Sequence, residues 1–261
     1  MTTSPLTTQI DTQYSLKKIL TIWFLSAAPM FILAFVITPK IVSFTNWPLI
    51  VVYWGAIIIG LMWQFILSLI VLKREGHTLN WQTVITRMKY QKPVHPTTRK
   101  SSYWLLLWSI PFIILSALIQ SGAISLPNVD AWMSPFIKHL PIYDLSTLAT
   151  PEYKGAWWIL VLFLTTSLFN YLLGEEFMYR GILLPKMNGV FGKWDWFFNG
   201  ILFGFYHLHK PQVILSTALY FGFVFAFPSK LFRSNWMAVI IHGLEGILGL
   251  ILVLGIILGL S

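Results

Sequence analysis

The chain has 261 residues, 56% of them hydrophobic and 10% charged, with a formal net charge of +9 and no cysteine. A soluble domain carries about 25% charged residues, so a fold around a soluble core is excluded; the missing cysteines exclude disulfides, thiolate metal sites and cysteine nucleophiles. The positive charge does not mark a nucleic-acid binder, because the 18 Lys and Arg sit mostly in short loops between apolar runs, as the positive-inside rule produces.

Residues 1–15 are polar and lack a small-residue cleavage pattern, so no removable signal peptide is expected. Seven apolar segments follow. Each is a candidate to cross a bilayer as a helix, the element that satisfies its own backbone in lipid. The first covers about residues 19–38, opened by Lys17 and Lys18, with a kink expected at Pro29. The second covers about residues 49–72. A basic loop, residues 73–102, then holds seven cations (Lys73, Arg74, Arg87, Lys89, Lys92, Arg99 and Lys100) against one acid, Glu75. Within it, residues 79–90 read as a short amphipathic helix on the membrane surface.

The third segment is about residues 103–120, and a loop of mixed charge covers 121–155. The fourth begins at Trp157 and Trp158 and runs to Leu184; the fifth, sixth and seventh are about residues 195–208, 212–227 and 235–260. Trp and Tyr at many of these ends fit an interfacial belt. The expected fold is an all-α polytopic bundle of about seven (six to eight) membrane helices. Residues 1–150 would supply N-terminal membrane helices of unknown role and residues 151–261 the functional bundle. The basic loop should be cytoplasmic, which places the N-terminus and the basic turns 186–193 and 229–233 inside and loop 121–155 outside. Lys210, in a short outer turn, departs from that pattern.

Ionisable groups inside membrane segments are costly and mark function by default. Glu175, Glu176, Arg180, His207, His242 and Glu245 all lie in apolar surroundings. Glu176 and Arg180 are four apart and face one another on a helix, while Glu175 is rotated by about 100° with Tyr179 as its own neighbour. One glutamate is then held as a structural ion pair and the other is left for chemistry. Phe203 and His207 share a face by the same spacing. At about 1.5 Å per residue, Glu175, His207 and His242 lie roughly 13, 18 and 10 Å from the same side of the membrane. Against this stands the bland reading, that buried polar groups only join helices by hydrogen bonds. Tyr206 and His209 read as neighbours rather than participants. Glu245 reads either as a partner of His242 or as a polar contact at the end of the bundle. His77, His95 and His139 read as solvated.

At these residues the sequence resembles a known family. Glu175-Glu176-Phe177-Met178-Tyr179-Arg180 matches EExxxR of the CAAX protease and bacteriocin-processing (CPBP, or Abi) family. Phe203-Gly204-Phe205-Tyr206-His207 matches its FxxxH motif, and the stretch from Asn235 to Gly243 resembles its third motif, a His early in a late helix. The resemblance covers about residues 157–250. One departure is clear: the third motif usually continues as HxxxN, and Gly246 stands where the Asn would be.

The resemblance implies an intramembrane endopeptidase acting on a membrane-associated peptide or protein, through CAAX-like processing, peptide maturation or self-immunity, in a bacterial plasma membrane. Its expected catalytic residues are Glu175, His207 and His242, supported by Glu176, Arg180, Phe203 and Glu245. Glu175 and His207 would activate a water, and His242 would donate to the oxyanion. No cofactor is favoured. A zinc-dependent version, with Glu175, His207 and His242 as ligands, is the nearest rival, although HExxH is absent. An inactive immunity or scaffold protein and a proton or solute transporter are the readings from other classes.

Overall fold

The computed structural model describes residues 12–124, 140–141, 143–210, 220 and 222–260. Its helices, in chain order, are α1 (Leu16–Phe44), α2 (Leu49–Arg74), the short α3 (Trp81–Arg87), α4 (Tyr103–Gln120), α5 (Trp158–Lys186), α6 (Asp195–Tyr206), α7 (residues 222–231) and α8 (Trp236–Leu258). Five of them, α1, α2, α4, α5 and α8, are long and apolar enough to cross a membrane. The chain is an all-α polytopic bundle. Large apolar side chains such as Phe24, Val161, Leu248 and Ile251 point outward. Lipid accepts them, so helix contacts in the interior rest on packing and polar pairs instead.

Among the described residues five such helices stand beside the about seven (six to eight) expected, and part of the expected set lies outside those residues. Helix α6 has 12 residues, about 18 Å of rise, too short to span alone. Much of the sixth segment, residues 212–219 and 221, lies outside the described residues, as do Asp130, Lys138 and His139 of loop 121–155.

Pro29 stays within α1, and the distortion falls just after it, in a π-helical stretch at Leu33–Ile37. Ser15 caps α1 and Asn80 caps α3 through side-chain oxygens that accept from Lys18 and Thr83 amides. Helix α2 ends after Lys73 and Arg74, where Gly76 takes φ 83°.

Helix α5 is the spine of the site, and the N-terminal helices lock onto it. Trp54 Nε1 donates to Thr166 Oγ1 at 2.7 Å, and Ser26 shares a hydrogen bond of 2.9 Å with the Tyr179 hydroxyl. Tyr90 of the basic loop donates to the Leu172 carbonyl at 2.6 Å. That loop does not simply lie on the membrane surface. Arg87, at the end of α3, is buried, pairs with Glu75 at 2.9 Å and donates to the Gly181 carbonyl at 2.8 Å. Burial alone would raise the Glu75 carboxyl, but the hydrogen bond and charge of Arg87, helped by Tyr14, hold it below its ordinary value.

Candidate active site

Helix α5 changes register before it reaches the motif. It is α-helical over Trp158–Leu168 and π-helical over Phe169–Leu173, closing with the Gly174 amide on the Phe169 carbonyl at 2.6 Å. It is π-helical again over Phe177–Leu183. Such bulges rotate the following side chains relative to an uninterrupted α-helix and concentrate at functional sites. Gly174 permits the first one. A Cβ there would stand 2.5 Å from the Phe169 carbonyl oxygen and 3.0 Å from that of Leu61 on α2.

Directly after this glycine come the two glutamates, both buried. They diverge. Glu176 Oε2 pairs with Arg180 Nε at 3.5 Å, and its Oε1 meets His242 Nδ1 of α8 at 2.9 Å. Asn235, at the start of α8, donates from Nδ2 to the Glu176 carbonyl at 3.0 Å. The sequence leads one to expect an Arg180 pair alone; Glu176 in fact ties α5 to α8. Glu175 turns toward α6, where the Tyr206 hydroxyl donates to its Oε1 at 3.0 Å. Its Oε2 has no hydrogen-bond partner among the described residues. A buried carboxylate oxygen left so is uncommon and costly, and is accounted for when a water or substrate completes it.

Phe203 lies at the centre. Its ring sits 4.1 Å from the Arg180 guanidinium carbon, a cation–π contact, and 4.8 Å from the His207 ring. Its carbonyl lies 2.8 Å from His207 Nδ1. A carbonyl only accepts, so Nδ1 carries the proton there and Nε2 is the acceptor nitrogen of the neutral ring. His207 is half-buried at the end of α6, and the buried His209 stacks beside it at 5.4 Å.

The structure thus joins Glu176, Arg180 and His242 directly, with Phe203 against Arg180 and His207, and Glu175 beside them through Tyr206. Glu245 lies apart. It accepts from Ser116 of α4 and from Tyr220, while Gln120 Nε2 donates to both hydroxyls. Among the described residues no three His, Asp or Glu side chains form a group that could hold a metal ion. Of the side chains expected for zinc, His242 is held through Nδ1 by Glu176, Glu175 through Oε1 by Tyr206 and His207 through Nδ1 by a carbonyl.

Residues 156–248, which contain every one of these motif side chains, match the family model described as type II CAAX prenyl endopeptidase Rce1-like. Over that stretch the chain is similar to the Rce1-like family. This is consistent with the CPBP family and supports an intramembrane protease in general terms. No curated protein and no solved structure gives a significant match.

Two residues within the matched stretch give no sign in the sequence. Asn170 Nδ2 lies 3.4 Å from His242 Nε2, and the Tyr171 ring meets the His242 ring edge-on at 4.8 Å. Tyr171 also fills the space beside Gly246. A Cβ on that glycine would come within 2.6 Å of the ring and 2.9 Å of the hydroxyl. An Asn at 246 would require the Tyr171 side chain to shift. Counted along an α-helix, Asn170 and Tyr171 give no sign of facing His242; the π-helical turn Phe169–Leu173 that holds them is not readable from composition.

Proposed function

We propose that this chain is a CPBP-type intramembrane endopeptidase that hydrolyses a peptide bond of a membrane-associated peptide or protein, with Glu175 as general base. The observation that carries the reading is the buried Glu175 carboxylate, held through Oε1 by Tyr206 while Oε2 lacks a partner among the described residues. A water between Glu175 Oε2 and the acceptor nitrogen of His207 gives up a proton to the carboxylate as its oxygen attacks the scissile carbonyl carbon. The proton then passes to the leaving amine as the C–N bond breaks. Asn170 supplies a donor for the oxyanion from Nδ2, joined by Nε2 of His242 when that ring, oriented by Glu176 through Nδ1, carries a proton on both nitrogens. Arg180 holds Glu176 and so fixes α5 against α8.

The test is cleavage of a panel of membrane-associated peptides by purified protein in liposomes, comparing wild type, Glu175→Ala and His207→Ala, with and without chelator. Cleavage lost in both variants and retained under chelation supports a metal-free glutamate mechanism. Cleavage lost under chelation and restored by zinc supports the zinc-dependent version. Full activity in Glu175→Ala overturns both. A second reading, a non-catalytic scaffold or immunity protein that binds a peptide, draws on Gly246, which removes the amide expected there. Peptide binding by wild type without cleavage, unchanged in Glu175→Ala, would favour it.

A further inference from the structure

A cavity of about 710 Å³ opens where the basic loop, the end of α5 and the α7–α8 turn meet. Backbone pairing builds its walls: the Val94 amide donates to the Phe232 carbonyl, and the Asn235 amide to that of Lys89, both at 2.8 Å. The cavity is lined by Lys89, Arg99, Lys193, Lys230 and Arg233 and reaches inward to Arg180, with Asp195 as its acid. Asp195 pairs with Lys230, and Arg180 with Glu176. Among the described residues the other four cations have no ion-pair partner.

Three of those four are held in an unusual backbone conformation. Lys89, Arg99 and Arg233 have φ of 59°, 58° and 52°, and among the described residues no other non-glycine has a positive φ. Side chains other than Gly, Asn and Asp rarely adopt this region, and such outliers gather at ligand clamps. The cations also oppose one another. Burial first, then the charges of Arg87 and Arg233, hold the Lys89 ammonium below its ordinary value. The positive-inside rule accounts for cations on this face, but not for a walled cavity on which strained cations converge.

We propose that this cavity is a binding site for a phosphate group, carried by the headgroup of an anionic lipid. The apolar lining favours a lipid over a free ion: Trp196, Phe227 and the partly exposed Leu231 flank the cations, where acyl chains would lie. Arginine and lysine at several angles suit phosphate oxygens through charge-assisted hydrogen bonds. The site does not depend on the protease reading, since none of the four unpaired cations belongs to the proposed catalytic group.

The test is binding of phosphatidylglycerol, phosphatidylcholine and inorganic phosphate to delipidated full-length protein in a neutral detergent, by native mass spectrometry and titration calorimetry. Arg99→Asn/Lys193→Gln/Arg233→Asn removes three of the four cations without an ion-pair partner, with Asn at the two positions of positive φ because it tolerates that conformation. Lys17→Gln/Lys73→Gln/Lys100→Gln removes three cations of the basic regions outside the cavity. Phosphatidylglycerol should bind wild type at least about tenfold tighter than the cavity variant, while the control variant stays within about twofold. Phosphatidylcholine should bind weakly. Inorganic phosphate should compete only at far higher concentration; if it binds as tightly as phosphatidylglycerol, the free ion is the ligand and the lipid assignment falls. Equal loss in both triple variants, loss in neither, or equal binding of the two lipids overturns the site. Lys193→Gln alone, at an ordinary backbone position, gives the same reading with a smaller loss should the triple variant unfold.

Discussion

Glu176 on α5 and His242 on α8 meet at 2.9 Å, Oε1 to Nδ1, in a part of the bundle where Glu176 is fully buried. The same carboxylate pairs with Arg180, so one side chain compensates a guanidinium and orients an imidazole from two helices. Removing one member of a buried pair leaves the other uncompensated, at about 3–5 kcal/mol. Glu176→Ala and Arg180→Ala are therefore expected to lose thermal stability strongly and activity with it. His242→Ala should cost less, because the Glu176–Arg180 pair survives. Unfolding of each variant in one detergent, followed by helical signal, checks the order; a Glu176→Ala protein as stable as wild type would show that the pair is not structural.

Glu175 should behave in the opposite way. Its Oε2 is already without a partner among the described residues, so deleting the side chain forfeits one hydrogen bond from Tyr206, a net contribution of about 1 kcal/mol. Glu175→Ala is expected to fold with little loss of stability and to lose cleavage by about 10²–10⁴-fold, the usual share of a general base. Tyr206→Phe should fall between wild type and Glu175→Ala in kcat. The measurement is kcat beside the unfolding midpoint for each variant: a large drop in both for Glu175→Ala would assign Glu175 to folding instead.

The two motif carboxylates were separable from sequence because four-residue spacing predicts which one faces Arg180. The helical class, the five longest spans and the Glu176–Arg180 pair were legible on the same ground, since apolar length and isolated charge are strong signals in a membrane chain, whereas the reach of Glu176 to His242 was not. What stayed hidden depends on departures from α-helical register. Asn170 and Tyr171 reach His242 through the π-helical turn at Phe169–Leu173, and Tyr206 reaches Glu175 from the last turn of α6. Glu245, three residues beyond His242, pairs with Ser116 and Tyr220 from other helices, which no local spacing could reveal.

Gly174 makes a sharper claim about that register. Alanine there has to fit a methyl against two carbonyl oxygens, at 2.5 and 3.0 Å, both backbone and one on a neighbouring helix. Overpacking of this kind costs about 1–3 kcal/mol. Gly174→Ala should lower the unfolding midpoint and cut cleavage, because the shift propagates into the adjacent glutamates. Gly55→Ala, where nothing lies within 4 Å of the added carbon, is the matched control and should be close to neutral.

Stability should fall in acid through Glu75 on the basic face. Arg87 holds this carboxyl below its ordinary value in the folded protein despite burial. A lowered folded value means that its stabilisation is fully present above the ordinary carboxylate range and is lost as pH falls through the lowered value. Wild type should therefore lose thermal stability below about pH 4.5. Glu75→Gln should start less stable at neutral pH and show a shallower acid slope. Parallel slopes in the two proteins would remove Glu75 from the account.

The exchange between residues 171 and 246 tests how the oxyanion side of the site is built. Gly246→Asn introduces a side chain into the space of the Tyr171 ring, with the first carbon already 2.6 Å from Cε2. That single variant should be destabilised and inactive. Tyr171→Ala alone removes a half-buried ring that meets His242 edge-on and should cost less than the roughly 3 kcal/mol or more of a fully buried aromatic. Combined, the two changes relieve the clash and fill part of the space the ring leaves, so the double variant should be more stable than the sum of the singles predicts, by about 1 kcal/mol or more. If it also regains cleavage that both singles lack, an amide at 246 and the Asn170–Tyr171 pair are interchangeable ways of furnishing donors near His242. If stability recovers and cleavage does not, Tyr171 supplies something the amide cannot, and its hydroxyl becomes the group to examine through Tyr171→Phe.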